Sequence, residues 1–98
     1  MSLRGEPLEQ EVTLPDGRVV AVRIGVAEDS YIPRRELDTV TAELFARGRS
    51  LGVATTLLEP GEVGDARELA QEIAAGLEAG TLEPTAAAIE PLADRTRR

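Results

Sequence analysis

The side chains that most often carry chemistry are missing from this chain or scattered along it. There is no cysteine and no histidine. That excludes thiolate nucleophiles, disulfides and zinc–thiolate sites, and removes the side chain that most readily moves protons near neutral pH. Lysine is absent too, so all eleven basic residues are arginine. A Walker loop ends in Gly-Lys-Ser/Thr and cannot be written without lysine; Gly48-Arg-Ser-Leu-Gly52 reads as a short turn. No stretch alternates carboxylates around a central glycine as a calcium loop does. Nucleophilic catalysis would fall to Ser2, Ser30, Ser50 or a threonine, with no histidine or lysine as base. Glu28-Asp29 comes nearest to a carboxylate pair, but adjacent acids in a polar connection read as a solvated turn. We therefore assign no catalytic residue, no metal ligand and no cofactor.

Arginine offers more. Arg34 and Arg35 follow Pro33 in what the spacing predicts to be the first turn of a helix. The helix macrodipole disfavours cations there. A bound anion or an acidic partner surface would relieve the conflict, as would pairing with Glu36, Asp38 or Glu28-Asp29. Arg47 and Arg49 lie near the other end of the same segment. These four arginines are the candidate partner- or anion-binding residues. Phe45 is one of two aromatic residues, with Tyr31. It is either an exposed anchor for a partner or, as the preferred reading, the largest apolar side chain packed inward. The acidic C-terminal third presents alanine-rich helical stripes that either meet a partner groove or pack one side and solvate the other.

The elements that must position these residues follow from turn chemistry and periodicity. Leu8–Leu14 and Arg18–Val26 are β-rich runs flanking Pro15-Asp16-Gly17. Proline pre-sets the second turn position, Asp suits the third, and Gly17 can take the left-handed conformation that closes a three-residue hairpin loop with a bulge. That loop pairs Val12 with Val20, Gln10 with Val22 and Leu8 with Ile24 on one mostly apolar face. Thr13 with Val19, Glu11 with Ala21 and Glu9 with Arg23 then fall on the other face, mostly polar and carrying an opposite-charge pair. Next, Leu37, Val40, Thr41 and Leu44 follow helical spacing, Pro33 suits a helix start and Gly48 a left-handed cap, so a helix is expected over about 33–47. Leu51–Leu58 is a third strand, stopped by Pro60. It should run parallel to the second strand, and pairing beside the first is slightly favoured over pairing beside the second. Asp65 and Glu68 resemble a capping box opening a helix whose stripe is Ala66, Leu69, Ala70, Ile73 and Leu77, closed by Gly80. In 81–94, Pro84 can start a helix and Pro91 must kink or end it.

The expected fold is thus α+β: a three-stranded sheet, a β-hairpin plus one strand, packed with two to three helices in the order β-β-α-β-α-α. Its 98 residues make one domain, with 1–7 a mobile leader, 8–80 the domain, and 81–98 a loosely docked helical segment ending in a basic tail. Net charge is −7, which repels a phosphate backbone, and two aromatics leave little for base stacking, so nucleic-acid binding is not expected. Neither a membrane span nor an apolar signal run is present in the sequence, and a cytoplasmic location is expected. These readings point to a non-catalytic protein-interaction or regulatory module, with a protein partner or a homodimer. The rival from another class is a small enzyme, or enzyme subunit, working with carboxylates and arginine. An enzyme would need a concave pocket with perturbed titrating groups; a module would need an apolar or edge-strand patch.

Overall fold

Pro15-Asp16-Gly17 closes the first hairpin in the expected register. The computed structural model of the chain describes residues 7–26, 40–56 and 58–95. Strand β1 (Leu8–Thr13) pairs antiparallel with β2 (Val19–Val26), with Val12 opposite Val20, Gln10 opposite Val22 and Leu8 opposite Ile24. Gly17 has φ 92°. Its N–H donates to the Leu14 carbonyl at 2.9 Å, and the Leu14 N–H donates to the Arg18 carbonyl at 2.7 Å. This is the bulged three-residue turn that the proline, aspartate and glycine favour.

The next element differs from expectation. Residues 40–47 are not the end of a helix: Val40–Ala46 is strand β3, paired antiparallel with β2. The Pro33–Thr39 part of the expected helix lies outside the described residues. Val40, Ala42 and Leu44 are buried while Thr41, Glu43 and Phe45 are half-buried, a period of two. Val40 and Leu44, four apart, satisfy the helical and the strand pattern at once, so spacing could not separate them. Gly48 does take positive φ, at 77°, with Arg47 at 53°. Two consecutive left-handed residues make a two-residue hairpin turn, whereas one left-handed glycine would have capped a helix. The same glycine signal served a different element.

That hairpin leads into β4 (Arg49–Thr55), two residues earlier than expected. The sheet therefore has four strands, not three, in the order β1-β2-β3-β4, all antiparallel. Because the intervening segment is itself a strand, β4 pairs with β3 and with neither hairpin strand. The element order is β-β-β-β-α-α in place of β-β-α-β-α-α.

Two helices follow. Helix α1 (Val63–Ala79) starts two residues before Asp65. Glu62 precedes it and accepts a hydrogen bond from the Glu59 N–H at 2.8 Å, so the turn at Pro60-Gly61, and not an Asp65 cap, sets the start. Gly80, φ 77°, ends the helix as expected, and Ala66, Leu69, Ala70, Ile73 and Leu77 are its buried stripe. Helix α2 (Ala86–Arg95) is capped by Thr85, whose hydroxyl accepts from the Ala88 N–H at 3.2 Å. It continues past Pro91. Ile89 and Ala93 are fully buried.

Both helices lie on one face of the sheet, α1 against β1 and β2, α2 against β4 and β3. Val20, Val22, Ile24, Val40, Ala42 and Leu44 from that face meet Leu69, Ile73, Leu77 and Ile89 in one apolar core. Gly52 lets α2 approach closely: a Cβ there would stand 2.5 Å from the Ala86 nitrogen.

Candidate interaction face of the sheet

Placing α1 and α2 on one side leaves the other side of the sheet without a helix among the described residues. Alternation decides what it carries. Across the strands, one row reads Glu9, Arg23, Glu43 and Val53; the next reads Glu11, Ala21, Phe45 and Ser50. Val53 is 45% and Val19 49% exposed, and Ala21 and Phe45 are half-buried. Apolar side chains thus stand together on a face that also bears charge. The Arg23 guanidinium lies 3.8 Å from the Glu9 carboxylate. Pro7 packs over Gly25 at the far end of β2, where a Cβ would approach to 2.8 Å.

At the turn end this face dips into a broad open concavity of about 930 Å3. Val19, Ala21 and Phe45 form its apolar floor, and Asp16, Arg18, Glu11 and Arg47 its charged rim. Asp16 and Arg18 hold each other: the Arg18 backbone N–H and Nε donate to the two Asp16 oxygens at 3.0 and 2.7 Å. Asp16 is held below the ordinary carboxylate range, chiefly by that backbone N–H; desolvation opposes the shift, and the Arg18 guanidinium adds to it through its hydrogen bond and its charge.

Of the four arginines singled out from sequence, Arg47 lines this concavity and Arg49 follows it across Gly48. Neither has an ion-pair partner among the described residues. Arg34 and Arg35 lie outside the described residues. Phe45, expected inward, is on the open face instead, because a strand and not a helix carries it, and Leu44 takes the core position. Val19, Ala21 and Val53 were not singled out. The available signal was that Val19 and Ala21 are apolar on the face of the hairpin that otherwise reads as polar.

With two arginines and two acids on the rim, the concavity carries no excess of either sign, so its chemistry suits an amphipathic protein surface better than a free anion. Among the described residues no cluster of three or more acids could hold a metal ion, and no helix is long and apolar enough to cross a membrane. No protein-family model, curated protein or solved structure matches the chain.

Proposed function

We propose that this chain is a non-catalytic protein-interaction module that binds through the open face of its sheet. The observation that carries the reading is the apolar group of Val19, Ala21, Phe45 and Val53 on the face the helices leave uncovered. Apolar side chains grouped on a strand face around one aromatic, ringed by charge, have the make-up of a contact core and rim. Arg47 is the anchor nearest that group, with Arg49 beside it. Arg34 and Arg35 enter the proposal on sequence grounds, as cations for an acidic partner.

The test compares proteins retained by the immobilised chain with those retained by a Phe45→Thr, Val53→Thr variant. Threonine is polar and suits a strand, so circular dichroism should be unchanged. Binding lost in the variant supports the reading, and identical retention by both chains overturns it. Replacing Arg34 and Arg35 together by Glu should likewise leave the fold intact and weaken the association.

A further inference from the structure

Resting on that reading, we infer that the partner of the open face is a second copy of this chain, seated face to face so that two sheets form a sandwich with the helices outside. The charge pattern of the central strands selects this partner. Arg23 on β2 stands opposite Glu43 on β3, and the next pair on this face sets Ala21 opposite Phe45. A two-fold axis lying between the sheets, parallel to the strands and midway between β2 and β3, exchanges those two strands. It sets Arg23 against the second copy's Glu43 and Glu43 against its Arg23, so four charges alternate in sign around the axis. It also seats each Phe45 on the smaller Ala21 of the other copy. The charge row then supplies specificity and the aromatic supplies area.

The other symmetric arrangement is poorer for the central charges. An axis perpendicular to the strands returns each strand upon itself. Centred on the charged row it stacks Arg23 on Arg23 and Glu43 on Glu43; moved half a step, it puts Phe45 on Glu43; moved a full step, it stacks Phe45 on Phe45 and brings Glu43 toward Arg47 but leaves Arg23 over Val19. Only the strand-parallel axis sets both central charges against opposite ones. Packed sheets cross at about 30°. That displaces the central strands, roughly 2–3 Å from the axis, by little more than 1 Å, so their register survives. At the edges the same axis carries Glu11 of β1 over Ser50 of β4, toward Arg47 on the rim, which has no ion-pair partner among the described residues. The acidic partner this arginine calls for is then the first strand of the other copy.

Size sets the expected strength. Four strands about 4.8 Å apart and six residues long cover roughly 400 Å2 of flat face. Standard interfaces bury about 800 Å2 per partner, so self-association in the micromolar range is expected.

The experiment is sedimentation velocity of the full chain from about 5 to 500 μM, with Arg23→Glu, Glu43→Arg and their mixture. The parent should dimerise, and each variant alone should associate at least tenfold more weakly, because its central strands carry like charge. A 1:1 mixture should recover dimer, since position 23 of each variant then faces a position 43 of opposite charge across the axis. Misfolding cannot produce that recovery. If a charge variant does not fold, Phe45→Thr carries the test, with the same tenfold loss expected. A dimer indifferent to all three variants overturns the proposal and points to another contact, such as the β4 edge. A parent that stays monomeric also overturns it. If hydrogen exchange in 27–39 then rises on Phe45→Thr, the chain's own segment covers the face. If Phe45→Thr instead releases a different captured protein, the interaction module stands and only its partner changes.

Discussion

Arg47 holds φ 53° at the first turn position between β3 and β4, where Gly, Asn or Asp is easiest to accommodate. Left-handed backbone costs a residue with a Cβ about 1 kcal/mol or more, and Asn lowers that cost. Arg47→Asn should therefore raise unfolding stability by about 0.5–1 kcal/mol in urea titration, while removing a cation from the binding rim. An unchanged or lower midpoint would show that the arginine contributes to the turn. Gly17, at φ 92°, has open space around its missing Cβ, so only backbone strain opposes a side chain there. Gly17→Val should cost about 1 kcal/mol or more. Asp16 makes the same turn sensitive to acid. Its folded pKa is depressed, so its contribution is present above the ordinary carboxylate value and is lost as pH falls through the lowered one. The stability gap between the parent and Asp16→Asn should accordingly hold at neutral pH and close on acidification below about pH 4. A gap that widened in acid would contradict this assignment.

Among the elements, β3 shows how closely two secondary structures can compete for one segment. Val40–Phe45 combines β-branched residues with apolar spacing that also suits a helix. Pairing with β2 resolves the choice by giving the segment a backbone ladder and burying Val40, Ala42 and Leu44 together. Helix α2 raises a different question. Its ten-residue length and internal Pro91 give weak intrinsic helicity despite its alanines, yet Ile89 is fully buried and Gly52 admits the start of the helix to the sheet. Burial describes the folded state, and how firmly the segment is held is a free-energy difference that a substitution can measure. Ile89→Ala should cost about 2–4 kcal/mol if α2 is integral to the core. A loss below about 1 kcal/mol would instead mark 81–98 as the loosely docked segment its composition suggests.

For the molecule as a whole, helices on one side and an apolar, charge-patterned face on the other make stability and association one problem. If two copies share that face, folding and dimerisation are linked, and the unfolding midpoint of the parent should rise with protein concentration across its dissociation constant. Arg23→Glu should abolish that dependence, with a lower midpoint at every concentration because it sets three acids in one row of the sheet. A parent midpoint independent of concentration, from micromolar to near-millimolar, would leave the face for a different partner. Two chains of net charge −7 also repel at long range, which is a further reason to expect reversible association.

The first hairpin, its register, the left-handed glycines at 17 and 80 and the buried stripe of α1 were all legible in the residues. Each follows from a turn motif or a side-chain period carried by contiguous residues, where turn stereochemistry and alternation act directly. The identity of β3, the adjacency of β4 and the side of the sheet that α1 and α2 take were decided by tertiary structure. Val40 and Leu44 fit either period, and the hydrogen-bonding partner that settled the choice lies about twenty residues away on β2. Phe45 shows the consequence for the candidate site. One change of element type turned it from the core to the open face, because a strand alternates its side chains where a helix groups them.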